Sequence, residues 1–135
     1  MISDIVANAI RSRFKTQIAD TENLPTQYDN DPTEPDKTNL WCRLTMVDGD
    51  SNQVSLGSPG SNLHRTVGIL YAQLFIPVGT GDKVIRAMAK KIYDKFLGLT
   101  DFGVRYKTPS IRKVGRDGSY WQLNVNCPFY TDDIG

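Results

Sequence analysis

Residues 65–97, RTVGILYAQLFIPVGTGDKVIRAMAKKIYDKFL, hold a strand, a glycine-rich turn and a helix in one line. In the first half the even positions Gly68, Leu70, Ala72, Leu74 and Ile76 are all apolar. The odd positions Val67, Ile69, Tyr71, Gln73 and Phe75 are mostly so. Two apolar faces predict a strand covered on both sides, either within its own fold or by another chain. Pro77 ends it, since proline has no N–H to give a ladder. From Asp82 to Leu97 the period changes. Ile85, Met88, Ala89, Ile92 and Phe96 recur at three- and four-residue steps, while Lys83, Arg86, Lys90, Lys91 and Asp94 avoid that stripe, which predicts an amphipathic helix. Gly98 fits the left-handed residue just past its end.

The join between them, VGTGDK at 78–83, invites a phosphate-loop reading, and with it a small nucleotide- or phosphate-binding enzyme. Such a loop needs G-x-x-x-x-G-K-[ST], in which glycines let backbone amides surround the phosphates while the Lys and hydroxyl handle charge and magnesium. Here Gly79 and Gly81 are two apart and Val84 follows Lys83. The dinucleotide fingerprint G-x-G-x-x-G fails as well, because Val84 occupies its third glycine position. A turn accounts for every residue: Pro77 stops the strand, the glycines bend the chain, and Thr80 or Asp82 caps the helix.

Working outward, residues 3–19 read as another amphipathic helix, with Ile2, Ile5, Val6, Ala9, Ile10 and Phe14 on one stripe and Ser3 as N-cap. Residues 20–39, DTENLPTQYDNDPTEPDKTN, break the pattern with three prolines and six acidic residues against Lys37 alone. An extended acidic loop is expected there, with a short extended piece at Thr26 to Tyr28. Leu40 to Val47 is rich in strand formers; DGD reads as a turn, and Gln53 to Leu56 as the returning strand. GSPGSN at 57–62 has a mobile loop's composition, and His64 falls beside it as a solvated loop residue. Beyond the second helix come Ser110 to Val114, a turn GRDG, and SYWQLNVNCPF, in which Trp121, Leu123, Val125, Cys127 and Phe129 alternate with Gln122, Asn124 and Asn126. The order predicts α+β: a mostly antiparallel sheet with the amino-terminal helix and a second helix, after the long central strand, packed on one side.

The chain has 135 residues, 39% hydrophobic and 23% charged, with a net charge of +1, which suits one domain and gives no pull toward nucleic acid or an anionic membrane. No apolar run approaches a bilayer span, and MISDIVANAI lacks the basic-then-apolar order of a secretory signal, so synthesis in the cytoplasm is expected. Cys42 and Cys127 stand far apart and His64 is the single histidine, so the spacing argues against zinc and for two buried thiols; no cofactor is expected. Asp29, Asp31, Glu34 and Asp36 match no calcium-loop spacing and read as a solvated acidic loop. No G-x-S-x-G nucleophile elbow is present.

The linear pattern resembles the tail terminator (tail completion) proteins of long-tailed bacteriophages. The residues that carry the likeness run in order: the amino-terminal helix, YDN at 28–30 before the Pro-rich loop, LWCRLTM at 40–46, the strand–turn–helix of 65–96, and YWQLNVNCPFY at 120–130. The likeness spans nearly the whole chain. It implies a single terminator-like domain over 1–135 and a non-enzymatic virion protein, made in the host cytoplasm, at the head-proximal end of the tail. Such proteins form hexameric rings that cap the finished tail tube, stop its polymerisation and meet the head connector. The implied partners are further copies of the chain, the tail tube protein and the connector or neck protein, with no membrane and no sequence-specific nucleic acid, only DNA passing through the ring. Other small neck and head-completion proteins also form rings, and stand as the alternative.

A ring needs contact surfaces. The outward row of the long strand, Tyr71, Gln73 and Phe75, is expected to meet a neighbouring subunit, with cover by the amino-terminal helix (Ile5, Val6, Ile10) as the competing reading. Asp29, Asp31, Glu34 and Asp36 are expected to reach a neighbour or the tube, where their charge steers toward a basic surface. Arg86 and Lys90 offer a basic helix face to an acidic partner, or simply face solvent.

Overall fold

The computed structural model describes residues 3–32, 34–53 and 63–134. Helix α1 (Asp4–Phe14) begins where the Ser3 hydroxyl accepts the Val6 N–H at 3.3 Å, satisfying one unpaired donor of the first turn. It continues without a break into a π-helical stretch, Lys15–Ala19, so the helical run reaches the end predicted for it. The strands are β1 (Thr26–Gln27), β2 (Trp41–Gln53), β3 (Leu63–Pro77), β4 (Thr100–Asp101), β5 (Val104–Tyr106), β6 (Ser110–Asp117) and β7 (Tyr120–Ile134), with helix α2 (Lys83–Phe96) between β3 and β4.

The seven strands form one sheet in the order β1-β2-β3-β7-β5-β4, with β6 paired to the first half of β7. Every pairing is antiparallel except β1 with β2. Both helices pack on one face. There Ile10, Phe14 and Ile18 from the first helical run and Ile85, Ala89, Ile92 and Phe96 from α2 meet Cys42, Leu44, Leu70, Ala72, Leu74, Leu123, Val125, Cys127 and Phe129 from the sheet. Phe14 stacks on Phe96 at 6.3 Å, and Phe96 meets the Tyr106 ring edge-on at 5.0 Å. Gly68 is required here for space: a Cβ would lie 2.6 Å from Cζ of Phe129, whose ring fills the position. Both cysteines are buried and free, and burial pushes the Cys42 thiol far up and that of Cys127 to about 12.

Three local expectations are corrected. DGD is not a turn: β2 runs through it, with Asp48 opposite Gly68 and a bulge before Ser51 absorbing the extra residue. GRDG is not the second turn either; β6 continues to Asp117, the chain reverses at Gly118–Ser119, and Gly115, at φ +90°, forms a bulge. His64 lies in β3 rather than in a loop, half-buried between Gln53 and Asp133. The short β4–β5 hairpin, closed by Phe102 and Gly103 at φ +51° and +75°, had no expectation attached. Residues 54–62, with most of the returning strand and the GSPGSN loop, lie outside the described residues.

The glycine-rich turn behaves as a turn. Gly79 and Gly81 adopt φ of +93° and +79°, conformations that glycine reaches without steric cost, and the Thr80 hydroxyl donates to the Pro77 carbonyl at 2.8 Å. Asp82 occupies the N-cap position, but its carboxylate accepts from Arg86 Nε at 2.6 Å rather than from the first-turn amides. The positive end of α2 thus has a carboxylate of its own beside it, which disfavours a phosphate there.

Candidate subunit interface

Antiparallel pairing places directly opposite side chains on one face, so the sheet reads as rungs. On the face away from the helices one rung is Trp41, Phe75 and Gln122; the next is Arg43, Gln73, Asn124 and Arg112; the third is Thr45, Tyr71, Asn126 and Ser110; the fourth is Val47, Ile69 and Pro128. The expected row Tyr71, Gln73 and Phe75 therefore lies on the uncovered face, and the amino-terminal helix packs on the other.

The three residues differ in how far their own chain covers them. Phe75 is only 5% exposed: Trp41 stacks on it at 4.4 Å with planes 16° apart, and Tyr120 meets both rings edge-on at 6.2 and 5.7 Å. Arg43 sits 5.5 Å from the Phe75 ring, and the Lys37 ammonium is 4.8 Å from that of Trp41. Tyr71 and Gln73 are half-buried, and further along Val47 and Val67 are exposed. The outer face passes from dry at the Phe75 end to wet at the Val67 end. The Trp41 clamp was not foreseen, although an antiparallel hairpin necessarily sets the start of β2 against the end of β3.

The acidic residues lie at the β1 edge. Their loop is fastened to the sheet: Cys42 N–H donates to the Pro25 carbonyl at 2.8 Å, and Met46 N–H donates to Asp29 at 3.0 Å, capping β2 where β1 has ended. Asp36 accepts from the Thr38 N–H and hydroxyl at 3.0 and 2.7 Å, which lowers its carboxyl below the usual range. Glu34 pairs with Lys37 at 2.9 Å. Residues 28–32 stand between two hollows, one of about 700 Å³ reaching Arg43 and one of about 470 Å³ reaching Arg11 on α1 and Lys15 of the π-helical stretch. Beneath them Tyr28 is half-buried, and burial raises its phenol.

Arg86 and Lys90 are already partnered along their own helix, Arg86 with Asp82 at 2.6 Å and Lys90 with Asp94 at 2.7 Å, while neighbouring Lys91 reaches Glu22 at 2.9 Å. They face away from the sheet on the helix layer. The nine nominated residues thus fall on three surfaces: sheet face, β1 edge and helix layer. A further basic surface was not singled out. On β6, Arg112 points to the outer face and Lys113 to the helix face, and neither forms an ion pair among the described residues. Its signal in sequence was the run RKVGR at 112–116.

Among the described residues no helix is long and apolar enough to cross a membrane, and no three His, Cys, Asp or Glu side chains are grouped to hold a metal ion.

The model of a family described as phage tail terminator protein matches residues 5–129. No curated protein matches the chain. Among solved structures, one superposes with a TM-score of 0.60 over 96% of this chain and 95% of its own at 19% identity, a likeness of fold.

Proposed function

We propose that this chain, which belongs to the phage tail terminator protein family, closes the head-proximal end of the tail tube as a homo-oligomeric ring. In that place it stops tube polymerisation and offers its far side to the head connector. The family match over nearly the whole length carries the reading, and it implies a structural rather than a catalytic role in the virion tail. The fold supplies compatible parts. Among the described residues one sheet face is free of helices, and its rungs mix aromatic, amide and aliphatic side chains, a composition suited to protein contact. Tyr71 and Gln73, at the half-buried middle of that face, are assigned to contact with a neighbouring copy or the tube. Phe75 supports them from within, as part of the Trp41 clamp.

A phosphate-binding enzyme on the 78–83 turn has less in its favour, because the Asp82 carboxylate at the N-cap of α2 brings negative charge beside that helix end. The test is tail length. Phage lacking this protein should carry tails of irregular, extended length in electron micrographs, restored by the wild-type chain supplied in trans. Tails of normal, uniform length without it would contradict the proposal.

A further inference from the structure

Two of the open edges of the sheet, β1 and β6, lie at the same level. Gln27 of β1 pairs with Arg43, Arg43 with Gln73, Gln73 with Asn124, and Asn124 with Arg112 of β6, so one rung crosses from edge to edge. β1 pairs only with β2 and β6 only with β7, leaving the outer side of each without a strand partner among the described residues. The edges are opposite in charge. β6 carries Arg112, Lys113 and Arg116 against Asp117; the 29–36 loop beside β1 carries Asp29, Asp31, Glu34 and Asp36, with Lys37 next to it and Arg43, Arg11 and Lys15 in the flanking hollows. β6 is also exposed along nearly all its length, including Ile111 at 41% and Val114 at 51%. An exposed strand with an open edge is a ready site for another chain, and such edges are ordinarily shortened, covered or charged.

We infer that β6 of one copy docks beside β1 and the acidic 29–36 loop of the next copy, head to tail around the ring. This rests on the ring reading above and adds the surfaces that would build it. A contact between two different patches of one chain closes into a ring when the rotation between copies closes. β3 and β7 alternate direction between β2 and β6, so β6 runs antiparallel to β1. Rotation about an axis along the strands preserves strand direction, so the incoming β6 meets β1 antiparallel. Arg112 on the outer face and Lys113 on the helix face then straddle the junction.

The inference is tested by charge exchange, read by native mass spectrometry and light scattering at low ionic strength, with tube ends supplied if wild type needs them to assemble. R112E/K113E has two acidic edges and D31K/E34K two basic ones, so neither should form rings alone; each interface should weaken on the order of tenfold or more. Mixed in equal amounts, they should recover rings of alternating composition with an even number of subunits. If R112E/K113E loses its fold by circular dichroism, R112Q/K113Q takes its place, with the expectation of weaker rings of reduced salt sensitivity. Wild-type rings alongside unaffected single variants, or a folded mixture that stays dissociated, would overturn this inference and leave the ring reading standing. A wild-type chain that stays monomeric even on tube ends would overturn both.

Discussion

The two faces of the long strand β3 carry comparable apolar sequence and meet different fates. The even face, Leu70, Ala72, Leu74 and Ile76, disappears beneath both helices. The odd face is covered at one end only, where Trp41 and Tyr120 fold over Phe75, and it opens through Gln73 and Tyr71 to exposed Val67. Alternation in a sequence reports how many faces are apolar, but what covers a face is decided by strand order and register. Here the register places the bulkiest side chain of β2 against the end of β3, so the chain supplies its own cover for one third of the row. The remaining polar and aliphatic rungs are the part of that face its own chain leaves more open.

Deleting side chains on the two faces should separate them by size of effect. Phe129 is 1% exposed on the helix face and lies over Gly68. Phe129→Ala should lower unfolding free energy by about 3–5 kcal/mol in urea titrations, since a large cavity opens in a packed core. Phe75→Ala should cost less, about 2–3 kcal/mol, because the half-buried Tyr120 ring beside it can partly collapse into the gap. Equal losses would mean that the outer clamp is as tightly packed as the core. A loss under about 0.5 kcal/mol at Phe75, the ordinary range for surface changes, would mean the clamp contributes little and the whole row is free for a neighbour.

The smallest effect is expected at the wet end of the same face. Arg65 Nε donates to Asp132 at 2.8 Å and the guanidinium lies over Tyr130 at 4.3 Å. The hydrogen bond from Arg65 holds the Asp132 carboxyl below the usual range. A carboxyl whose folded value is depressed stabilises the fold above its unfolded value and loses that contribution as pH falls through the folded one. Asp132→Asn should therefore lower the melting temperature slightly at neutral pH, with the gap closing in acid and shrinking in high salt. A gap independent of pH would assign the effect to packing against Tyr130 instead.

Much of the fold was legible in particular residues. The Ser3 cap, the α2 stripe ending at Gly98, the double apolar run of β3 and the alternation of Trp121 to Phe129 each carry a local physical cause, and each appears in the structure. The misreadings share a different cause. DGD and GRDG have turn chemistry, yet pairing with β3 and β7 holds both in bulged strands, so non-local ladders overrode local preference. β4 and β5, at two and three residues, are too short to show a period. The place of Tyr71 and Gln73 on the outer sheet face was reachable by counting alternate positions. The Trp41 clamp and the opposed edges at β1 and β6 exist only once the strand order is known. The helix cations Arg86 and Lys90 looked available in sequence because partners four residues away, Asp82 and Asp94, were not weighed against them.

The central claim is that this protein ends a growing tube, and tube growth tests it most directly. Purified tail tube protein polymerising with the fluorescently labelled chain should stop elongating, with label confined to a single end of each tube. Tubes that lengthen at an unchanged rate, or label spread along their sides, would contradict the account.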